Sequence, residues 1–317
     1  MKAIIAIIPN LQANLLEKIK NICPNYEVEW FDQINPADYS RIEIIFGWNN
    51  QVKENLDQMK QLKWVQVESA GVDYLPKEII ENPDLMVSTT TGIHASAITE
   101  SVFAYILGKG RGLYQSLKAQ EDRTWSPVSA QQLHTLPGKC MLIFGTGNIG
   151  QEIARMASAF GMRVRGVNTN GRDIENFSKC YTLANARRML NTAHIVVNAM
   201  PLTNETRAYF NRKFFADMND QALFINIGRG GSVVEDDLYQ AIQDKEIAGA
   251  YLDVFEEEPL SDRSPLWASE GITITPHITG QMHDYQDKVF PIFYENLQSY
   301  CQTGQLARNQ LDKSKGY

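Results

Sequence analysis

The stretch CMLIFGTGNIGQEIARMASAFG, residues 140–161, limits the folds open to this chain more than any other. An apolar run ends in glycine, a short loop carries Gly145, Gly147 and Gly150, and an amphipathic helical pattern follows at once. In that strand-loop-helix setting the three glycines serve a tight turn, close backbone approach to a pyrophosphate, and helix–strand packing. The first helical turn presents free N–H groups and the positive end of the helix dipole to an anion. The segment predicts the opening βα unit of a dinucleotide-binding sheet.

The rest of the chain repeats the same rhythm. AIIAII (3–8), IEIIFG (42–47), KWVQVES (63–69) and MVSTTTG (86–92) read as strands, with a helix over 11–22. A long helical pattern over 96–119 follows, starting from ASAITESVFAYILG. From CMLIFG the series continues through RVRGVN, HIVVNAM, ALFINIG, GAYLDV and ITITPH, which makes six strands. A last amphipathic helix covers 284–303. Strands alternating with helices predict parallel sheets covered on both faces. At 317 residues, two domains are favoured over one. The expected fold class is α/β, with two Rossmann-like, doubly wound parallel-sheet domains. The first spans 1–95 and is completed by 281–317, and the dinucleotide-binding domain spans 96–280.

Composition excludes several classes of function. A net charge of −7 and the absence of a basic cluster argue against a nucleic-acid surface. No apolar run approaches a membrane span, and the N-terminal MKAIIAIIPN lacks a cleavage site, so a cytoplasmic enzyme is expected. Cys23, Cys140, Cys180 and Cys301 form no CxxC pair. Buried free thiols are expected, with no zinc site, no other metal and no disulfide framework.

In a dinucleotide fold an acid usually ends the second strand and grips the adenosine ribose. Here RVRGV ends at Asn168, 18 residues past Gly150 (168 − 150), near the usual spacing of roughly 20. Asn168 cannot repel a 2′-phosphate, and Thr169, Asn170 and Arg172 add donors. The substitution favours NADP(H), with NAD(H) as the second choice. In the alternative reading Arg172 is a solvated loop residue and either cofactor serves.

Three later segments carry reactive groups. FINIGRGG offers Arg229, YLDVFEEEPL offers Asp253 and Glu258, and ITITPHITG offers His277. All three sit near the carboxyl ends of predicted strands, where open α/β sheets bind ligands. They suit hydride transfer to a 2-keto acid. Arg229 grips the carboxylate, His277 delivers the proton, and Glu258 favours the imidazolium and fixes the ring.

Taken in order, GTGNIG, PLTNET, INIGRGG, LDVFEEEPL, SPLW and TPHITG resemble the D-isomer-specific 2-hydroxyacid dehydrogenase family. ESAGVDYL and TGIHASAITE extend the likeness, so that it covers about residues 40–285. The resemblance implies a cleft between the domains and a homodimer built mainly on the cofactor domain. The family's catalytic Arg, Glu and His fall on Arg229, Glu258 and His277. Pyrophosphate contacts fall on Thr146, Gly147, Asn148 and Ile149, and the nicotinamide contact on Asp253. Met200, Pro201, Thr206, Ile227 and Gly280 complete the cofactor set. Substrate carboxylate falls to Ala70, Gly71 and Val72, and Trp48 lines the pocket. Two departures stand out: Asn168 replaces the usual acid, and Gln281 and Met282 follow Gly280 where small residues are usual.

Other reactive side chains have plainer readings. His94 reads as a hinge residue or as one that touches the cleft, His134 and His283 as loop or surface residues, and His194 as a strand-edge residue. Glu256 and Glu257 read as a solvated acidic patch, and Trp125 and Trp267 as core or interface anchors. The expected activity is reduction of a short 2-keto acid such as glyoxylate, hydroxypyruvate or pyruvate. The alternatives are a phosphoglycerate dehydrogenase-like enzyme and a non-catalytic dinucleotide-sensing protein of the same fold.

Overall fold

The computed structural model describes residues 1–313; the end of the polar tail, 314–317, lies outside the described residues. The chain divides into two compact units, one of Met1–Ile93 with Met282–Tyr317 and one of His94–Gln281.

The first unit holds β1 (Ala3–Ile7), β2 (Tyr26–Trp30), β3 (Ile42–Phe46), β4 (Trp64–Gln66) and β5 (Met86–Ser88). They form one sheet in the order β2-β1-β3-β4-β5, every pair parallel. β1 is apolar throughout, β3 is apolar but for Glu43, and both are almost wholly buried, as strands covered on both faces must be. β2 was not expected from the sequence. YEVEW carries two glutamates and every residue of it is partly exposed, because it is an edge strand. The other edge, β5, is covered by the chain's own C-terminal segment: Leu311 N–H donates to Val87 O and Thr89 N–H to Asn309 O. The helix Tyr285–Thr303 returns to this unit and lays Phe293 on Phe46 at 4.1 Å between ring centroids and beside Trp64 at 5.4 Å.

The cysteine expectation is corrected here. Cys23, just past the first helix, and Cys301, in the last one, are joined as a disulfide, and Cys140 and Cys180 are the buried free thiols. Their separation of 278 residues hides the pair from any local spacing rule.

The second unit holds β6 (Cys140–Phe144), β7 (Arg163–Val167), β8 (Lys179–Tyr181), β9 (Ile195–Asn198), β10 (Leu223–Asn226), β11 (Gly249–Leu252) and β12 (Ile272–Ile274). The sheet runs β12-β11-β10-β9-β6-β7-β8, again parallel throughout. Seven strands replace the six expected; β8 is a three-residue edge strand too short to stand out. The helical pattern over 96–119 is two helices, Ala95–Gly110 and Leu113–Glu121, because Gly112 adopts a left-handed φ of +69° between them. Trp125 and Trp267 are exposed, at 97% and 53%, so neither belongs to the core of this unit. Among the described residues no helix is long and apolar enough to cross a membrane.

Candidate active site

Every strand of the second sheet points the same way, so its carboxyl ends form one edge. The cofactor and catalytic candidates of this unit lie in the segments that follow its strands. The glycine loop follows β6, Asn168 follows β7 and Met200 follows β9. Arg229 follows β10, Asp253 and Glu258 follow β11, and His277 follows β12.

The glycine loop fits a dinucleotide. Gly145 turns the chain at φ +98°, and a Cβ there would lie 2.7 Å from Ala199 O. A Cβ at Gly150 would lie 1.9 Å from Gly145 O, so loop and helix meet backbone to backbone. Gly147 is different: a Cβ there meets nothing within 4 Å. It is the exposed N-cap of the helix Asn148–Ala159, the position from which free N–H groups face a phosphate. Thr146 and Ile149 are half-buried beside it.

Asn168 builds the next turn. Its Nδ2 donates to Arg172 O at 2.8 Å and to Thr146 Oγ1 at 3.3 Å. Arg172 N–H in turn donates to Asn170 Oδ1 at 3.1 Å. The amide therefore ties a tight loop to the glycine loop and leaves Thr169 and Arg172 exposed on it. Asn168 Oδ1 is buried and has no hydrogen-bond partner among the described residues.

Arg229 stands on a buried polar frame. Asn198 and Asn226, each ending an apolar strand, are 0% exposed, as is Ser232. Asn198 Nδ2 donates to Asn226 Oδ1 and to Ser232 Oγ, both at 2.8 Å. Asn226 Nδ2 and Ser232 Oγ both donate to Arg229 O, at 3.2 and 2.6 Å. Asn198 Oδ1 accepts Met200 N–H at 3.1 Å, so one network sets the Arg229 loop and the Met200 turn together. The sequence reading passed over this frame, although its signal was present: VVNAM and FINIG each end an apolar strand with an asparagine. Thr206 shapes the neighbouring turn through Pro201 O, at 2.7 Å. Ile227 is 6% exposed and packs into the core behind.

His277 Nδ1 lies 2.7 Å from Glu258 Oε2, and Glu258 Oε1 accepts Phe255 N–H at 3.0 Å. The carboxylate is thus fixed at one oxygen and fixes the imidazole with the other. The His277 side chain is 53% exposed. Its backbone has a φ of +53°, a conformation β-carbons disfavour. His277 N–H is held by Asp253 O at 2.9 Å. The Asp253 carboxylate, 1% exposed, holds the rest of the loop. It accepts Ile278 N–H at 3.0 Å, Thr279 N–H at 3.1 Å, and the hydroxyls of Thr275 and Thr279. Thr275 and Thr279 were not singled out from the sequence, yet they saturate this buried charge. Gly280 closes the loop against His94, whose imidazole burial pushes down from its ordinary pKa.

In the first unit, Gly71 and Val72 lie on the loop after β4 with Ala70, half-buried or buried. Ser69 Oγ braces that loop on Gly71 O at 2.7 Å. Trp48, past the positive-φ Gly47, is half-buried against the core. Among the described residues no cluster of His, Cys, Asp and Glu could hold a metal ion.

An acid-base pair and an arginine at one sheet edge, beside a glycine loop with room for phosphate, is the equipment of a dehydrogenase. Comparison with known proteins agrees. Residues 103–279 match the profile of the D-isomer specific 2-hydroxyacid dehydrogenase, NAD binding domain. The chain is 30% identical over 250 residues to glyoxylate/hydroxypyruvate reductase A of Serratia proteamaculans, covering 77% of each chain. It is similar to the crystal structure of phosphoglycerate dehydrogenase from Lactobacillus plantarum, at 38% identity and a TM-score of 0.59, over 98% of this chain and 100% of that one. It is also similar to NADPH-dependent glyoxylate/hydroxypyruvate reductase of Sinorhizobium meliloti in complex with NADP and sulfate. That match has 26% identity and a TM-score of 0.81, and covers 100% of both chains. The protein belongs to the D-isomer specific 2-hydroxyacid dehydrogenase family, oxidoreductases that act on CH–OH groups.

Proposed function

We propose that this protein reduces a short 2-keto acid, such as glyoxylate or hydroxypyruvate, to a D-2-hydroxy acid with NADPH as the preferred reductant. The observation that carries the reading is the His277–Glu258 pair at 2.7 Å, on the same sheet edge as Arg229 and the glycine loop. A bound nicotinamide supplies the hydride. His277 holds a proton for the carbonyl oxygen, and Glu258 keeps the ring turned toward it. Arg229 pairs with the substrate carboxylate. Gly147, Asn148 and Ile149 receive the pyrophosphate, with Met200, Pro201, Thr206 and Asp253 around the rest of the cofactor.

The preference for NADPH rests on the Asn168 turn. Asn168 brings no carboxylate to the end of β7, and Arg172 is exposed on the loop that follows. The Sinorhizobium meliloti relative, NADPH-dependent by name and holding NADP, supports the same choice. The active form is a homodimer through the second unit. The helix Leu113–Glu121 exposes Leu113, Tyr114 and Leu117, at 51%, 38% and 47%, and Trp125 follows it in the chain. Apolar side chains grouped so closely call for a covering surface.

The test is oxidation of NADPH and NADH, in parallel, against glyoxylate, hydroxypyruvate and pyruvate, with the product's handedness determined. Turnover to the D-product, faster with NADPH, is expected. Cofactor binding without turnover of any keto acid would favour a dinucleotide-sensing protein instead.

A further inference from the structure

The helix Glu235–Gln243 opens with three acids and has no side-chain cap, since Val234 holds the cap position. An acid in a first turn ordinarily stays in water and complements the helix dipole. Asp236 does so; it is exposed. Glu235 does not. It is half-buried, and its Oε1 accepts Glu256 N–H at 2.8 Å across 21 residues. Burial holds its carboxyl above the ordinary range, against the pull of that N–H. The stretch before it is braced: Val234 N–H donates to Phe210 O and Phe210 N–H to Ser232 O, both at 3.0 Å.

The peptide group between Phe255 and Glu256 is gripped from three directions. Glu258 Oε1 accepts the N–H just before it, that of Phe255, at 3.0 Å. Glu235 accepts the N–H of the peptide itself. Gly230 packs directly against it: a Cβ there would stand 1.8 Å from the Phe255 carbonyl carbon and 2.4 Å from Glu256 N. Gly230 follows Arg229 in the chain, and Glu258 holds His277. One peptide group thus ties the arginine loop to the acid–base pair.

We propose that Glu235 is a positioning residue for the reaction: by holding the Phe255–Glu256 peptide against Gly230, it sets the spacing between Arg229 and the His277–Glu258 pair. The inference rests on the roles read for those three residues in keto-acid reduction. Glu235 acts through the turn and not on the substrate. A turn keeps its geometry through its bound N–H groups. Misplacing a reacting group by about 1 Å can cost on the order of a hundredfold in rate, even when the change lies away from the chemistry.

The experiment measures kcat, KM for hydroxypyruvate and Kd for NADPH in the full chain, in Glu235→Gln and in Glu235→Ala. Gln keeps an acceptor for Glu256 N–H, and Ala removes it. Glu235→Ala is expected to lower kcat about tenfold or more and to raise KM several-fold, because the proton donor and the arginine lose their spacing together. Its Kd for NADPH should stay within about twofold of wild type. Glu235→Gln should recover most of both losses. Should Glu235→Ala not fold, Glu235→Met, similar in length but without the carboxylate acceptor, takes its place. Wild-type kcat and KM in the Ala variant, equal losses in the Gln variant, or a loss of NADPH affinity as large as the loss of kcat would each overturn the proposal. A wild type that reduces none of hydroxypyruvate, glyoxylate and pyruvate would instead overturn the assigned reaction, and this inference with it.

Discussion

Asn168 Nδ2 donates to Arg172 O at 2.8 Å, so the residue proposed to stand in for a ribose-binding acid also shapes the loop that carries the arginine. Asn168→Asp puts a second acceptor opposite Arg172 O and restores an acid beside the ribose. The NADPH-over-NADH ratio in kcat/KM should fall by about tenfold or more. Arg172→Ala leaves the Asn168 bond possible and should weaken NADPH while sparing NADH. Equal losses for both cofactors in Arg172→Ala would contradict the assignment.

The glycines make separable predictions. Gly150→Ala would place a methyl group 1.9 Å from Gly145 O, and Gly230→Ala would place one 1.8 Å from the Phe255 carbonyl carbon. Both should cost more than about 3 kcal/mol of stability, read as a large fall in Tm or loss of soluble protein. Gly147→Ala meets open space and should fold normally, while binding the cofactor more weakly because the methyl group stands where a phosphate would approach. A Gly147→Ala variant with unaltered cofactor affinity would argue against the loop's role.

Much of this was legible in sequence because the relevant physics is local. The glycine spacing around Gly145 and the apolar strands depend on residues close together in the chain, and Arg229, Glu258 and His277 each stand in a short motif of their own, GRG, EEP and TPH. What escaped depends on distant partners. Asn198 and Ser232 are 34 residues apart and meet only when β9 and β10 pair. Thr279 reaches Asp253 across 26 residues, and Cys23 reaches Cys301 across 278. β2 was missed for another reason: an edge strand has an exposed face and need not be apolar.

Glu68 gives a pH prediction with a definite sign. Its folded-state pKa is raised by burial, so the folded chain holds that proton more tightly than the unfolded chain does. The resulting stability is fully present below the unfolded value and is lost as pH rises through the folded one. Glu68→Gln removes this titration. Its Tm relative to wild type should improve as pH rises out of the ordinary glutamate range and through the raised range of the folded chain. A difference in Tm that is constant with pH would show that Glu68 is not held in a desolvated place.

Trp125, 97% exposed, should become buried when a second copy binds. Trp125→Asp should convert a dimer to a monomer in light scattering. A wild-type monomer at micromolar concentration would remove the basis for this prediction.

The central claim is that His277, held by Glu258, hands the proton to a keto acid. The direct test compares wild type with His277→Ala in NADPH oxidation driven by hydroxypyruvate, with NADPH affinity measured on the same samples. A fall in kcat of about a hundredfold or more with cofactor affinity kept is the predicted result. A variant that turns over at the wild-type rate would contradict the account.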